Sequence, residues 1–175
     1  EDGVNQDSNL TRVYGYRDRM PVFGLAYLLD VLVAKREANS PRAADLRRRI
    51  GNAILPEAGQ SHVEEISDPY LLWFWNSNVR STGIVLASLV RSGASPALLQ
   101  PVVRWMMQAR KDGRWGNTQE NAVAMEALVA YYRAHESSAP NFRASVTLGA
   151  NELVSRPFAG RPALGGGRGP GPRAA

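Results

Sequence analysis

The order of helical segments is the feature that most constrains this chain. A segment that is apolar on nearly every side, residues 21–38, precedes Ser40-Pro41 and an amphipathic segment extending to about Leu55. A second apolar segment, 78–91, precedes Ser95-Pro96 and another amphipathic segment. A helix that is apolar all round is a buried helix, and Ser followed by Pro is typical of a helix start. The order therefore predicts alternating buried and half-buried helices.

A third apolar helix is predicted over residues 117–135. Its sequence aligns with the helix that starts at Asn78, and both begin with an Asn suited to capping. Alternating inner and outer helices form a two-layer α/α stack, which buries its core only by stacking on neighbours. Five helices of this kind make an open arc, and we expect further helices before residue 1 to cover the first one.

The two ends of the chain differ from this pattern. We expect residues 1–20 to be irregular and residues 21–139 to form the helical domain. Residues 140–161 read as one or two strands, because Phe142 to Leu148 alternate apolar and polar. A lone strand must pair outside the chain or pack on the helices. The Gly/Pro-rich residues 162–175 are predicted to be disordered, or to come from a truncated or frameshifted reading frame.

Composition excludes several kinds of site. The chain has no cysteine and two histidines, so disulfides, zinc–thiolate sites and thiol nucleophiles are absent, and we predict neither a metal nor a cofactor. Its longest apolar run, residues 22–34, contains Asp30 and is too short to span a membrane. The net charge of +5 comes from arginines scattered along the chain, which favours codon bias over a nucleic-acid surface.

The segment Gly113-Arg-Trp-Gly-Asn-Thr-Gln-Glu-Asn121, followed by an Ala/Leu helix ending at Tyr132, resembles the bacterial alpha-2-macroglobulin family. It is similar to the last helix hairpin of that family's thioester domain. Asn78-Val-Arg-Ser-Thr82 resembles the preceding hairpin, and residues 140–148 with 158–161 resemble the first strands after the helical domain. The resemblance covers about residues 20–161.

That resemblance implies a fold and a function. The family's thioester domain is an α/α toroid of about six helix pairs, so this chain would be its carboxyl-terminal part and the start of the next β-domain. Members trap proteases, and the implied role is a structural and conformational module of a protease inhibitor, not an enzyme. The implied partners are proteases and neighbouring domains of the parent chain, with no nucleic acid and no membrane insertion. The implied location is the periplasm or cell envelope.

Thioester chemistry gives one pair of candidate residues. The family's Cys-x-Glu-Gln motif is absent here, so it would lie upstream or be lost. Thioester-active relatives carry a His-x-Glu before the equivalent of the helix that contains Thr82, and there the His attacks the thioester. His62 and Glu64 match that pattern. The alternative, which we favour, is a loop histidine beside solvated acids.

An α/α-toroid enzyme, either terpene cyclase-like or glycan-active, is the other functional hypothesis. Gln108 to Trp115 fits the Gln-Trp loop of triterpene cyclases, but the acidic motifs of cyclases are missing. A glycosidase needs two carboxylates facing across a cleft, whereas Glu120 and Glu126 share one helix. Glu120 and Asn117 more simply form a capping box. In such an enzyme an aromatic cluster would form the wall of the ligand pocket, although we favour packing of these side chains under the long connection between helix pairs. The cluster consists of Tyr70, Trp73, Phe74 and Trp75.

Overall fold

The computed structural model describes residues 6–65, 76–137 and 141–160. The chain divides into two compact units between His135 and Glu136. The first contains six α-helices and one hairpin among its described residues, and the second contains a hairpin. The elements are α1 (Gln6–Gly15), α2 (Val22–Ala34), α3 (Pro41–Asn52), β1 (Ile54–Glu57), β2 (Gln60–Val63), α4 (Asn78–Arg91), α5 (Pro96–Gln108), α6 (Thr118–Tyr131), β3 (Asn141–Leu148) and β4 (Asn151–Ala159).

The helices of the first unit form two layers. The inner helices α2, α4 and α6 pack in that order, while α3 packs on α2 and α5 packs on α4. The prediction of a mainly helical chain is confirmed. The predicted all-round burial of the apolar helices holds for α4 but not for α2, which exposes Tyr27 and Val31, or for α6, which exposes Met125. The core between the layers is aliphatic, and its largest fully buried side chains include Leu29, Leu32, Leu46, Ile50, Leu86, Leu89, Leu99 and Met106.

Helix starts agree with the sequence signals except at two caps: α5 begins after Ser95, whose side chain makes no capping hydrogen bond, and the cap of α4 is shifted by one residue. The Ser40 side chain accepts from the Ala43 backbone N–H, and Asn117 accepts from the Glu120 N–H. The predicted cap Asn78 is instead the first helical residue of α4, because Ser77 accepts from the Arg80 N–H. Ser and Asn are both favourable N-cap residues, so the sequence Ser77-Asn78 does not show which of the two caps the helix.

The expectation that residues 1–20 are irregular is wrong for Gln6–Gly15, which form α1, and for Arg17–Arg19, which form a 3₁₀ turn. Leu10 is buried, and the Tyr14 hydroxyl donates to Asp45 on α3 at 3.0 Å. Arg17 also donates to Asp45, at 3.1 Å. Since much of this docking is polar, the apolar periodicity that reveals a helix is weak here.

A hairpin that the sequence did not predict follows α3. We expected the helix to reach about Leu55, but it ends at Asn52 and is followed by β1 and β2, which pair antiparallel from Ile54 with Val63 to Glu57 with Gln60. The two-residue turn has positive φ at Ala58 and Gly59. Ala rarely adopts positive φ, so the sequence lacks the usual Asn-Gly signature of such a turn.

The second unit is an antiparallel hairpin of β3 and β4. The strand predicted over Phe142–Leu148 is confirmed, and of the one or two strands expected in residues 140–161 the structure has two, so β3 finds its partner in β4. Phe142 pairs with Phe158 and their rings stack at 5.2 Å, while Val146 pairs with Val154. All four side chains are exposed within the described structure.

Two further sequence predictions concern membrane crossing and the end of the chain. Among the described helices, none combines the length and apolar character that crossing a membrane requires. The predicted disordered tail, residues 162–175, lies outside the described residues.

Candidate functional site

His62 lies on β2, where the hairpin packs against α5. Its imidazole stacks on the indole of Trp105, with ring centroids 4.6 Å apart and an angle of 5° between the planes. The residue is only 8% exposed. Leu55 on β1 is the cross-strand partner of His62, and paired residues point to the same face of a hairpin. The register of the hairpin therefore places the imidazole ring. His62 is therefore a packed strand residue and not the loop histidine that we favoured from the sequence, although the acids beside it, Glu57 and Glu64, are exposed to solvent as expected.

The structure brings His62 and Glu64 together. The ring Nε2 lies 3.0 Å from a carboxylate oxygen of Glu64, so Nε2–H donates to that oxygen. The other nitrogen, Nδ1, is 3.8 Å from a carboxylate oxygen of Glu57, beyond hydrogen-bond distance. Nδ1 is buried without a hydrogen-bond partner among the described residues. One nitrogen is engaged and the other is shielded.

Residues on either side of Glu64 tie the hairpin to α4. The Val63 N–H donates to the Thr82 hydroxyl at 3.0 Å, and the buried Thr82 lies within the helix. Glu65 accepts from the Ser81 hydroxyl at 2.6 Å. In the sequence, Ser81 and Thr82 are two of several polar residues in a mainly apolar helix, and polar residues on a buried face indicate a polar contact without identifying its partner.

The Glu65 carboxylate also caps an inner helix. Its second oxygen accepts from the backbone N–H of Val22, and more weakly from that of Phe23 at 3.4 Å. These are among the first N–H groups of α2, which have no acceptor within the helix. The residue before Val22 is Pro21, which offers no side-chain cap. Glu65 thus joins the start of α2 to α4, a role that sequence reasoning missed because cap and helix are 43 residues apart.

The α5–α6 turn contains the segment that carries the family resemblance. Trp115 is buried, and its indole N–H donates to the Met106 carbonyl at 3.0 Å. The Asn121 amide donates to the Trp115 carbonyl at 2.9 Å, which fixes the turn to the first turn of α6. Asp112 and Gly113 both have positive φ. Trp115 is therefore a turn residue held by its hydrogen bond and packing.

A surface concavity of about 870 Å³ opens beside this turn. Glu120 lies on its wall, and its carboxylate accepts from the Gly116 N–H at 2.8 Å. A capping box would instead have Glu120 accept from the N–H of Asn117, so the predicted box forms only its first half. The carboxylate therefore holds the turn, and Asp112 lines the same concavity.

Glu126, the other acid considered for catalysis, forms an ion pair with Arg91 on α4. Arg91 also pairs with Asp30 on α2 at 2.8 Å. Burial raises the pKa of Asp30, although the neighbouring Arg91 opposes that change. Asp30, Arg91 and Glu126 connect the three inner helices, so the Glu126 carboxylate is held by an ion pair with Arg91.

Two further sequence predictions concern ligands. Within residues 6–65, 76–137 and 141–160, no three acidic or histidine side chains are grouped as a metal site. The aromatic cluster of Tyr70, Trp73, Phe74 and Trp75 lies outside the described residues.

Comparison with known proteins supports the resemblance seen in the sequence. No family model matches the chain. The chain is 23% identical over 162 residues to a protein named "Alpha-2-macroglobulin homolog" from Nostoc sp. (strain PCC 7120). The match covers 90% of this chain but 8% of that protein, so the chain corresponds to a small part of its relative.

Proposed function

We propose that this chain is a helical module of a longer alpha-2-macroglobulin-like protease inhibitor, and that it acts as a structural and conformational element in protease trapping. The observation that carries the proposal is the match to the Nostoc protein, which runs through 90% of the chain. The alternating layers of α2 to α6 support it, since they are the arrangement that the carboxyl-terminal part of an α/α toroid would have.

The exposed faces of the inner helices also favour a part of a larger assembly. Tyr27 is 48% exposed and Val31 is 45% exposed, one turn apart on α2, while Met125 is 53% exposed on α6. Large apolar side chains aligned on one face mark a surface that packs against something else. We infer that further helices of the same toroid cover these faces in the parent protein.

The position of His62 bears on the thioester hypothesis. A histidine that attacks a thioester needs a free nitrogen that can reach the reacting carbon. Here Nε2 is engaged by Glu64 and Nδ1 is buried beside Glu57. We therefore propose that His62 and Glu64 hold the hairpin on α5 and α4, and that any thioester chemistry of the parent does not use them in this arrangement.

The test uses the native protein, captured from source cells with an antibody raised against this chain. The captured protein is mixed with a serine protease and assayed on casein and on a small chromogenic peptide. A trap that encloses the protease blocks access of the large substrate and leaves the small one able to diffuse in. We expect casein hydrolysis to fall while peptide hydrolysis persists.

A heat-unfolded portion of the same preparation is the control, because it has the same composition without the trap. Unchanged casein hydrolysis with excess captured protein, tested on serine, cysteine and metal-dependent proteases, would contradict the proposal. The parent is further proposed to reside in the periplasm or cell envelope, where proteases from outside are met.

A further inference from the structure

The β3–β4 hairpin has two outer edges that differ. Among the described residues its sheet has two strands, so each strand has one edge with no strand beside it, which we call its free edge. β4 contains Pro157, which has no N–H to donate, and the shift in register leaves Leu153 of β4 unpaired as a bulge. Prolines and bulges protect an edge strand from further pairing. β3 contains no proline and its residues are all paired, so its free edge is the one open to another strand.

The register shows which backbone groups face each free edge. Opposite residues of an antiparallel pair either exchange two hydrogen bonds or make none, and the two kinds of pair alternate. Pro157 is paired with Arg143, and a strand proline has its nitrogen towards the free edge, so this pair makes none. Two positions along, Ser145 and Ser155 form a pair of the same kind. The Ser145 N–H therefore points to the free edge of β3, and the Ser155 N–H points to that of β4.

An apolar face accompanies the open edge. Its main side chains form two cross-strand pairs and are all exposed among the described residues: Phe142 with Phe158, and Val146 with Val154. The opposite face is polar, and there the Arg143 guanidinium donates to the Ser155 hydroxyl at 3.2 Å. A two-stranded hairpin alone is marginally stable in water, and independent stability needs a third strand or packing of the apolar face. The hairpin thus has the character of one part of a larger sheet.

We propose that β3 is an interior strand of a larger sheet in the parent protein, in which a further strand of that protein pairs with the free edge of β3 while β4 stays at the edge. This inference rests on the function proposed above, because it takes the added strand from the rest of the parent. The match to the Nostoc protein spans 8% of that protein, so a parent of similar length has most of its polypeptide outside this chain.

The chemistry of the hairpin describes the strand that it would accept. Apolar and polar side chains alternate along β3, so the added strand should alternate in the same way and extend both faces. The last residues of this chain, 162–175, are a poor source of that strand, because they are rich in glycine and proline, which strands disfavour.

Matched proline variants of the native parent protein test the proposal. Ser145→Pro removes an N–H that would donate to the added strand, whereas Ser155→Pro removes its counterpart on the free edge of β4. Both positions are equivalent to the one that Pro157 already occupies, so neither change removes a hydrogen bond within the hairpin. The two variants therefore differ in the edge that they alter and not in the residue type that is replaced.

Limited digestion with trypsin, followed by mass spectrometry, measures opening of the hairpin. Trypsin cuts after arginine, and the bond between Arg143 and Ala144 lies within β3. In the parent, we expect Ser145→Pro to speed this cleavage about tenfold, the change in open population that loss of one backbone hydrogen bond gives. Ser155→Pro should change it by less than about twofold. Equal effects of the two variants in the parent would overturn the proposal.

The chain alone is the control, because it lacks the added strand. There the two substitutions should change cleavage after Arg143 equally. The unsubstituted chain should be cut about tenfold faster than the unsubstituted parent. That comparison needs no variant, so it still tests the proposal if Ser145→Pro prevents the parent from folding, and equal rates in chain and parent would overturn it.

Other outcomes are distinguishable. If β3 paired with a second copy of this chain, the purified chain would have twice its mass in solution and Ser145→Pro would return it to the single mass, which would overturn the choice of a parent strand. A native product no larger than this chain would refute the proposed function. Equal effects of the two substitutions in a long parent would refute only the added strand.

Discussion

Glu65 offers the sharpest test of how the helix pairs are joined. Its carboxylate accepts from the Val22 and Phe23 N–H groups at the start of α2 and from the Ser81 hydroxyl on α4. Glu65→Ala removes both carboxylate oxygens and therefore all three hydrogen bonds at once. The Val22 and Phe23 N–H groups and the Ser81 hydroxyl are then left without this acceptor.

The expected cost follows from these contacts. Loss of an N-cap costs about 1 kcal/mol, and loss of a negative charge at a helix start costs about 0.5 kcal/mol. A hydrogen bond to a charged group contributes about 1.5–3 kcal/mol. Since the three contacts share one carboxylate and do not add fully, we expect Glu65→Ala to lower the free energy of unfolding by about 2–4 kcal/mol.

Urea unfolding followed by far-ultraviolet circular dichroism measures that change. With a slope near 2 kcal/mol per M, the midpoint should fall by about 1–2 M. Ser81→Ala should cost about 1–1.5 kcal/mol, and should cost far less in the Glu65→Ala background. If Glu65→Ala unfolds the chain, Ser81→Ala alone still tests the hydrogen bond between Ser81 and Glu65.

Glu37→Ala is the matched control, because Glu37 is an acid beyond the opposite end of α2, and its effect should stay within about 0.5 kcal/mol. A Glu65→Ala chain as stable as the parent chain would refute the account of the cap. Additive effects of Glu65→Ala and Ser81→Ala would refute the contact between them.

Two other predictions concern α1 and the α5–α6 turn. Burial alone would raise the pKa of Asp45, but hydrogen bonds from Arg49, Tyr14, Arg48 and Arg17 outweigh it and hold that pKa well below its usual range. The stabilisation is therefore present above about pH 4 and is lost as the pH falls further; Asp45→Asn should cost about 1–2 kcal/mol at pH 7 and weaken the acid sensitivity seen by thermal unfolding. An unchanged pH profile would contradict this prediction. Trp115→Phe removes the hydrogen bond to the Met106 carbonyl and should lower the free energy of unfolding by about 1–3 kcal/mol. Trp105→Phe is the control and should leave the α5–α6 turn intact. Equal effects of the two replacements on exchange of the Asn121 amide would contradict it.

The helices of the two layers could be predicted because their apolar residues follow helical spacing and their starts carry Ser-Pro or Asn. α5 and α6 begin within a residue or two of their predicted starts. α1 was missed because Tyr14 and Arg17 dock it through Asp45, and polar docking leaves no apolar stripe. The β1–β2 hairpin was missed because Ala58 adopts a conformation that its side chain disfavours.

The candidate site was predicted in part. His62 and Glu64 were singled out together by the His-x-Glu pattern of the resembled family, and the structure places their side chains 3.0 Å apart. The stack on Trp105 joins residues 43 positions apart, and the Glu65 cap of α2 spans a similar distance. Sequence spacing within one element carries no information about such contacts, since they depend on how elements pack.

The size of the native product is the decisive observation for the proposal that this chain is part of a macroglobulin-like protein. Source cells are fractionated, and each fraction is probed by immunoblot with an antibody to this chain. We predict one band far above 19.1 kDa in the envelope fraction. A native band near 19.1 kDa, with none above it, would contradict the claim.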